Sequence, residues 1–406
     1  MKQFKAFSNM GERPVVVIVS YYNFKQDNMQ QVIENVFAKE LGKHCRVIFL
    51  FTGDVKDKYF KWHNAEVIIT GNYNFFGRYL PFKKFYYLMK IICQVENPII
   101  LVRDLTFNTT LLIILKRFFN FKLFFQYSAP LGDMDIGYFK KNKSLKRYYY
   151  LAKGIIHNVF LKIAIKKADQ IFPITASFGE KLCERYSCSP TVPITMGVDE
   201  QWLAREVVPV SWLDGLISTN HFLIGYFGSL SFLRNPDFIL RVFADLKNKI
   251  AKSKLILMGD VAQPWEKKEL LLLCRRLNID DDVIFTGKLD RNTLQDYLVY
   301  CKLSVCPIPL DSHYRISSPT KLYESLGNGI PVIANKGIYE HEKVLTESKG
   351  GLLVDYNVED FSSAVQYLYK NPMIREKMGE DGRKYVISHY SYQRIAEKLI
   401  PYFMYA

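Results

Sequence analysis

The sequence predicts an α/β protein with two doubly wound domains, each a parallel sheet with helices on both faces. The chain has 406 residues, which is too long for one ordinary core and comfortable for two domains of nearly 200 residues each. Short apolar runs alternate with helical patterns in both halves, which is the order typical of parallel sheets. The alternation weakens between residues 197 and 220 and then restarts. These observations predict two domains rather than one.

The first half opens with a continuous apolar run, Val15–Val19, which suits a strand buried on both faces. Residues 30–41 follow with helical spacing, and Gly42 ends the predicted helix. Further short strands, separated by helical segments, are predicted in order at residues 47–51, 67–69, 99–102, 123–125 and 168–174.

Pro209, Gly215 and the polar residues around them predict an interdomain linker over residues 206–220. Beyond it, strands are predicted at residues 223–227, 254–258, 283–286, 303–306, 332–334 and 352–354, with helices at 236–250 and 265–277. We therefore expect an N-terminal domain over residues 1–205 and a C-terminal domain over residues 221–389. Two such domains normally bind ligands in the cleft where the carboxyl ends of their strands face each other.

Charge narrows the choice of partner. Lys and Arg total 55 against 40 Asp and Glu, so the formal net charge is +15. An excess of this size indicates an anionic partner, such as a nucleic acid, a membrane surface or a phosphorylated substrate. The seven cysteines form no Cys-x-x-Cys pair, which predicts reduced thiols in a cytoplasmic protein. No charge-free window reaches the length of a membrane span.

The most informative stretch reads Ser-Ser-Pro-Thr-Lys-Leu-Tyr-Glu from residue 317. Ser317 and Ser318 are predicted to cap a helix N-terminus, and Pro319 suits the first helical turn. Such a helix terminus favours a phosphate, and Lys321 adds a full positive charge in the first turn. Glu324 lies one turn further on, where its carboxylate can accept hydrogen bonds from two hydroxyls.

The pattern Ser-Pro-x-Lys-x-x-Glu, followed by Gly-x-Pro-Val-Ile, resembles the donor-binding signature of the retaining, GT-B-fold glycosyltransferases of family 4. The resemblance covers about residues 195–395. It implies two Rossmann-like domains that face each other across a cleft, with the nucleotide-sugar site in the C-terminal domain. It also implies that the C-terminal helix, residues 390–406, crosses back onto the N-terminal domain.

The resemblance assigns roles to individual residues. Glu324 matches the glutamate that clamps the ribose hydroxyls, and Arg234 matches the basic residue that contacts the donor diphosphate. Lys321 is a second candidate for that contact, and these three form the predicted catalytic set. Alternatively, they are ordinary surface charges. The other predicted donor-binding residues are Gly228, Ser229, Asp260, Phe285, Ser317, Ser318 and Thr320.

No metal or other cofactor is expected. The resemblance implies that the leaving diphosphate takes the acceptor proton, so that the protein has only to stabilise the charge that develops on the diphosphate. The run of three aspartates at residues 280–282 precedes a predicted strand. We interpret it as a solvated turn rather than a metal site.

Three positions depart from the family pattern. Ile316 stands eight residues before Glu324, where many relatives carry a second glutamate. Ser229 follows the first glycine of the C-terminal domain, where many relatives carry arginine. No histidine occurs in residues 125–128, where many relatives have one.

On the acceptor side, polar residues that directly follow the predicted strands of the N-terminal domain are expected to line the cleft. The alternative is that they only shape the loops. These candidates are Arg103, Asp104, Tyr127 and Ser128.

A basic and aromatic segment separates two of the predicted N-terminal strands. Between Asp135 and Asp169 there is no acidic residue, but there are nine Lys or Arg residues. One broad face of a helical wheel holds Leu145, Tyr149, Ala152, Ile156, Val159, Phe160 and Ile163. The pattern is typical of an interfacial helix on an anionic bilayer. The basic residues predicted to face the membrane are Lys140, Lys141, Lys143, Lys146 and Arg147. Alternatively, the apolar face packs on the N-terminal sheet.

The first functional hypothesis is transfer of a hexose-type sugar from a UDP- or GDP-sugar to a lipid-linked glycan. The enzyme would act at the cytoplasmic face of the membrane, in bacterial surface polysaccharide assembly. A nucleotide-sugar epimerase on the same fold is an alternative, and a catalytically inactive, membrane-associated relative is another. Nucleic-acid binding fits the charge but not the diphosphate site.

Overall fold

The structure is a computed structural model, which describes residues 13–20, 31–53, 58–71, 82–141, 143–311 and 313–405. The chain divides into two compact units. Unit 1 comprises Met1–Thr195 together with Tyr392–Ala406, and unit 2 comprises Met196–Ser391. Each unit is built on a largely parallel sheet, which confirms the prediction of two Rossmann-like domains.

The strands of unit 1 are β1 (Val15–Val19), β2 (Arg46–Gly53), β3 (Lys58–Trp62), β4 (Ala65–Gly71), β5 (Ile99–Arg103), β6 (Lys122–Tyr127) and β7 (Gln170–Pro173). They lie in the order β3-β4-β2-β1-β5-β6-β7. The apolar β1 is buried along its whole length between β2 and β5. Strand β3 pairs antiparallel with β4 at the sheet edge. The sequence analysis missed β3 because its half-exposed residues, Lys-Tyr-Phe-Lys-Trp, do not form an apolar run.

The helices of unit 1 before the chain enters unit 2 are α1 (Val32–Leu41, with π-type winding and continued by Gly42–His44), α2 (Phe82–Gln94), α3 (Thr106–Leu115), α4 (Leu131–Lys141), α5 (Lys146–Lys167) and α6 (Ala176–Tyr186). Helix α5 packs against α3 and α4. These contacts place α5 beside the carboxyl ends of β5 and β6, where α3 and α4 begin.

The strands of unit 2 are β8 (Phe222–Phe227), β9 (Ser253–Met258), β10 (Val283–Gly287), β11 (Leu303–Cys306), β12 (Val332–Asn335) and β13 (Gly351–Val354). They lie in the order β10-β9-β8-β11-β12-β13 and pair in parallel throughout. The order reverses between β8 and β11. In sheets of this kind, the crevice at the carboxyl ends of the strands on either side of the reversal is the usual ligand site.

The helices of unit 2 are α7 (Glu200–Leu203), α8 (Ser211–Ser218), α9 (Pro236–Lys247), α10 (Pro264–Arg276), α11 (Arg291–Leu298), α12 (Thr320–Gly327), α13 (Tyr339–Ser348), α14 (Val358–Lys370) and α15 (Pro372–Tyr390). The last helix of the chain, α16 (Tyr392–Met404), belongs to unit 1. Its Phe403 ring lies 5.2 Å from the ring of Phe124 and 5.8 Å from that of Phe172.

The predicted linker over residues 206–220 is wrong. The boundary between the units lies between Thr195 and Met196, and the whole segment up to β8 belongs to unit 2. Pro209, Gly215 and the polar residues 218–220 occur within this segment without making it a linker. Isolated apolar residues, among them Trp202 and Leu213, are buried in the core of unit 2 and attach the segment to it.

Close backbone packing at β13 generates a stability prediction. A Cβ atom at Gly351 would lie 1.9 Å from the carbonyl oxygen of Val332 on the neighbouring strand. We expect Gly351→Ala to lower the free energy of unfolding by about 1–3 kcal/mol, because the strands must separate. Gly215→Ala on α8 is the control, since its Cβ would enter open space. Urea unfolding measures both variants, and equal midpoints would contradict the expectation.

Candidate functional site

The candidate site of unit 2 is built around a glycine at the end of β8. Gly228 has a φ of +108°, a conformation that residues with a side chain rarely adopt. A Cβ atom here would also lie 2.6 Å from Cε of Lys321, in the first turn of α12. Glycine therefore lets the loop after β8 turn and lets the lysine chain lie against it, at the point where the strand order reverses.

The side chain of Lys321 is half-buried in this crevice. Its Nζ lies 3.8 Å from the centroid of the Tyr226 ring. Within the part of the chain that the structure describes, no carboxylate forms an ion pair with it. Burial lowers the pKa of Lys321 to about 7, and the positive charge of Arg234 acts in the same direction. A bound anion would relieve this penalty, because it favours the charged form of the lysine.

Arg234 lies on the short 3₁₀ turn Phe232–Arg234 that follows the β8 loop. Its guanidinium carbon is 4.3 Å from the centroid of the Tyr314 ring, and the Tyr314 hydroxyl donates to the carbonyl oxygen of Leu233 at 3.3 Å. The tyrosine thus holds both the side chain and the turn. The structure brings Arg234 close enough to Lys321 for its charge to lower the lysine pKa.

Glu266 fixes the two loops next to this crevice. One carboxylate oxygen accepts from the backbone N–H of Phe232 at 2.9 Å, and the other accepts from Ala262 and Gln263 at 2.8 and 2.9 Å. The Phe232 bond, with those from Gln263 and Ala262, holds the pKa of Glu266 below its usual range. The sequence analysis missed this residue. Its signal is the spacing Gln-Pro-x-Glu from residue 263, a capping-box pattern at the start of α10.

Glu324 lies one turn after Lys321 on α12 and is buried. Its Oε1 lies 3.6 Å from Nε of Arg291, the first residue of α11. Lys321 and Glu324 therefore lie along a single helix, while Arg234 lies on the turn after β8. The structure also adds an arginine that the sequence analysis did not identify.

The remaining donor candidates of the strand-end loops differ in accessibility. The carbonyl oxygen of Ser229 accepts a hydrogen bond from the Tyr226 hydroxyl, and its Oγ accepts one from the N–H of Ser231, both at 3.2 Å. Asp260 has an exposed side chain, while its carbonyl oxygen accepts from Leu230 at 2.9 Å. Phe285, on the edge strand β10, is half-buried and packs against the core of unit 2. Donor contacts by these residues stay predictions.

The predicted helix cap at Ser317 and Ser318 is wrong. Helix α12 begins at Thr320, so the cap position falls on Pro319, whose extended backbone has no side-chain hydrogen bond to offer. Ser318 is buried instead. Its Oγ accepts from the N–H of Met196 at 3.0 Å and lies 3.2 Å from the hydroxyl of Tyr323. The Oγ of Ser317 donates to the carbonyl oxygen of Tyr314 at 2.7 Å. Both hydroxyls thus form hydrogen bonds away from the helix end.

The structure also shows the surroundings of two further features of the sequence, Ile316 and the three aspartates at residues 280–282. The side chain of Ile316, where relatives have glutamate, is buried and apolar. The acidic run at residues 280–282 is more than a solvated turn. The carboxylate of Asp282 pairs with Lys247 at 2.8 Å and with Lys254 at 2.9 Å.

The acceptor-side candidates of unit 1 form contacts at the carboxyl ends of β5 and β6. The Asp104 carboxylate accepts from the N–H and the hydroxyl of Ser128, at 2.7 and 2.6 Å. The Tyr127 side chain is buried, with its hydroxyl 3.2 Å from Nε2 of His157 on α5. The side chain of Arg103 is buried as well. The structure therefore pairs Asp104 with Ser128 and places Tyr127 beside a histidine.

His157 was not among the predicted site residues. No histidine directly follows β6 in the sequence, but α5 delivers one from 30 residues further along the chain. Nδ1 of this ring lies 3.4 Å from the hydroxyl of Thr106, and burial lowers the pKa of His157. The sequence contained one indication of its role. On a helix, His157 lies near Gly154 and one turn before Leu161, both of which are buried, and so on the inner side of α5.

The apolar face of α5 that the sequence analysis predicted is exposed. Leu145 is 86% exposed, Ile156 56% and Val159 55%. Exposed with them are Tyr149, Ala152 and Ile163, while Phe160 is half-buried against Phe107. The alternative in which this face packs on the N-terminal sheet is therefore wrong. The α5 residues that are buried in unit 1 are Gly154, Leu161, Ala164 and Ile165.

The surface around α5 is basic and also extends onto α3. Lys140, Lys143 and Lys146 are exposed, while Arg147 stacks on neighbouring aromatic rings. The side chain of Lys141 lies outside the described residues. On and just after α3, further exposed apolar side chains are Phe107, Ile114 and Phe118. In the described ranges, no helix combines the length and apolar character that a bilayer span requires.

Comparison with known proteins shows two distant relatives by sequence. The D-inositol 3-phosphate glycosyltransferase of Kribbella flavida is 25% identical over 234 residues, which cover 53% of this chain and 52% of that protein. This match thus spans about half the length of the relative. The alpha-monoglucosyldiacylglycerol synthase of Streptococcus pneumoniae is 23% identical over 342 residues, which cover 80% of this chain and 71% of that protein.

Solved structures share the architecture. The Anabaena protein HepE in complex with UDP-glucose has a TM-score of 0.70 to this chain at 13% identity, covering 97% of this chain and 100% of that one. Residues 214–385 match the family model of the glycosyl transferases group 1. That range lies within unit 2 and includes Arg234, Lys321 and Glu324. Residues 214–385 are therefore similar to the glycosyl transferases group 1, and the chain shares the GT-B fold with solved structures such as HepE.

Proposed function

We propose that this chain is a retaining glycosyltransferase that transfers a sugar from a UDP- or GDP-sugar to a lipid-linked glycan. It would act on the inner face of the bacterial cell membrane, in surface polysaccharide biosynthesis. The observation that carries the donor part is the crevice of unit 2. There, the half-buried Lys321 has no carboxylate partner among the described residues, Arg234 lies close by and Glu324 lies one turn along the same helix.

Each of these side chains has a role that matches its surroundings. The diphosphate would lie between Lys321 and Arg234. Its negative charge would stabilise the Lys321 ammonium, which has lost part of its hydration. Glu324 would accept hydrogen bonds from the ribose hydroxyls. Positive groups that are already in place stabilise the charge that develops on the diphosphate as the sugar leaves. The complex of HepE with UDP-glucose supports a donor of this class.

The reaction proposed for this site needs no strong base. The bond between the anomeric carbon and the diphosphate oxygen breaks, and the acceptor oxygen bonds to that carbon on the same face. The acceptor hydroxyl proton passes to the leaving diphosphate. Lys321 and Arg234 act on the leaving group only, and no step requires a metal or other cofactor.

The acceptor part rests on the exposed face of α5. Apolar and basic side chains together cover this helix and its surroundings, which is the composition of a helix that lies in an anionic bilayer surface. Each basic residue near such a surface contributes about 1 kcal/mol. The lipid in the name of the pneumococcal relative supports an acceptor that is held in a membrane. Peripheral binding at the cytoplasmic face would bring unit 1 to that acceptor.

The first prediction concerns the ribose contact. We expect Glu324→Ala to lower turnover at limiting donor by about ten- to a thousandfold, because hydrogen bonds to a charged group are lost. Glu376→Ala, at an exposed position of α15, is the matched control and should behave as wild type. Transfer assays with a panel of nucleotide sugars measure the effect. Wild-type kinetics in the Glu324 variant would remove the ribose assignment.

The second prediction is a pH dependence of donor binding. The pKa of Lys321 is about 7 in the free protein, and a bound diphosphate should raise it. Affinity for UDP or GDP should therefore fall by up to about tenfold per pH unit above pH 7, as the lysine of the free protein loses its proton. Lys321→Met should bind more weakly and lose this slope. Calorimetric titration of both proteins tests this, and parallel pH profiles would contradict it.

The third prediction concerns the membrane surface. We expect the wild-type chain to float with vesicles that contain phosphatidylglycerol, and to float less with phosphatidylcholine alone. Ile156→Glu combined with Val159→Glu should abolish flotation, because it places two charges on the exposed apolar face.

Met373→Glu combined with Ile374→Glu is the matched control for that experiment. It adds the same charges to exposed apolar residues on α15 of unit 2. The control should float like the wild type. Equal flotation of the α5 variant and the control would overturn the membrane assignment.

A further inference from the structure

Arg291 is the first residue of α11, and its guanidinium lies among three groups of unit 2. The guanidinium carbon is 4.3 Å from the centroid of the Trp202 ring. Nη1 lies 3.5 Å from Oδ2 of Asp199, and Nε lies 3.6 Å from Oε1 of Glu324. The arginine therefore connects the segment at the start of unit 2 with the glutamate of α12.

The groups that hold Arg291 are themselves fixed. The Trp202 side chain is buried, and its indole N–H donates to the backbone carbonyl oxygen of Arg291 at 3.2 Å. Asp199 caps α7 through an Oδ1 that accepts from the N–H of Gln201 at 3.0 Å. The ring and the aspartate together hold the guanidinium, whose Nε lies 3.6 Å from Oε1 of Glu324.

The contact between Arg291 and Glu324 is an ion pair rather than a hydrogen bond. Nε and Nη2 of Arg291 are buried and donate no hydrogen bond in the structure. Donors that form no hydrogen bond on a charged group are costly, and the attraction of a nearby carboxylate offsets part of this cost. Electrostatic attraction therefore holds the Glu324 carboxylate beside Arg291. A carboxylate accepts about four hydrogen bonds, which is enough for an arginine and a pair of vicinal hydroxyls together.

We propose that Arg291 is a positioning residue that orients the carboxylate of Glu324 toward the two hydroxyls of the donor ribose. The proposal rests on the nucleotide-sugar site described under the proposed function. Arg291 acts through Glu324 and does not itself touch the donor. It thereby sets the preference of the site for ribonucleotides over 2′-deoxyribonucleotides. A misaligned carboxylate would accept a hydrogen bond from only one of the two hydroxyls, so it would bind both forms about equally well.

Lysine is a partial substitute at this position. An ammonium keeps the positive charge opposite Glu324, but it lacks the planar group that stacks on Trp202 while it reaches Asp199. The lysine variant should therefore lie between the wild type and an uncharged variant. A residue with only a scaffolding role would give no such graded effect on ribose recognition.

The test is calorimetric binding of UDP and GDP, each compared with its 2′-deoxy form. We expect the wild type to prefer the ribose form of the better nucleotide by about tenfold or more. Arg291→Gln should reduce this preference to about twofold or less, and Arg291→Lys should restore part of it. In transfer assays, Arg291→Gln should raise the donor KM more than it lowers kcat.

Two controls separate positioning from loosening of α11. Arg205 also holds α11, through Gln295 Oε1 at 3.0 Å and the carbonyl oxygen of Asn292 at 2.7 Å. Arg205→Gln should keep the wild-type ribose preference. The double variant with Arg291→Gln and Glu324→Gln should lose no more preference than Glu324→Gln alone, because the arginine then has no carboxylate to orient.

The outcomes distinguish the two proposals. A wild-type ribose preference that persists in Arg291→Gln overturns the role of Arg291 and leaves the donor site intact. Additive losses in the double variant overturn it as well. If the wild-type chain binds neither UDP nor GDP, the proposed function is overturned, and the role of Arg291 with it.

Discussion

The loops at the carboxyl ends of β8 and β9 approach each other so closely that no side chain fits between them. A Cβ atom at Gly259 would lie 1.9 Å from the carbonyl oxygen of Gly228, and Gly259 also bridges to Gly287 at the end of β10. Because Gly228 has no side chain, the side chain of Lys321 can occupy the space beside the loop after β8. The half-burial and the lowered pKa of the lysine follow from the position of its side chain against this loop.

Positively charged side chains of this protein lie in two physically different surroundings. In unit 2, the half-buried Lys321 is destabilised by the partial loss of water, and this makes the crevice selective for an anion that can replace it. Around α5, the lysines remain hydrated, and they act together with exposed apolar residues over an extended surface. The same helix carries His157 on its inner side, against the hydroxyl of Tyr127. One helix therefore contributes both to the surface of unit 1 and to the polar contacts at its strand ends.

Much of the fold was predictable because its signals are local. Apolar runs and helical spacing depend only on neighbouring residues, so the succession of parallel strands could be read directly. The errors arose where local composition misleads. The edge strand β3 has no apolar run, and the proline, the glycine and the polar residues 218–220 before β8 suggest a linker although Trp202 and Leu213 anchor the segment. Pro319 displaced the expected cap by one residue, since its extended backbone postpones the helix start to Thr320.

The sequence by itself determined that Lys321 and Glu324 share one face of one helix, because a spacing of three residues has that consequence in any α-helix. It determined the apolar face of α5 by the same periodicity. Only the tertiary structure decided that Arg291 lies against Glu324, that His157 reaches Tyr127, and that the α5 face points away from the core. The physical reason is that these contacts join residues far apart in the chain, and their distances depend on how whole elements pack.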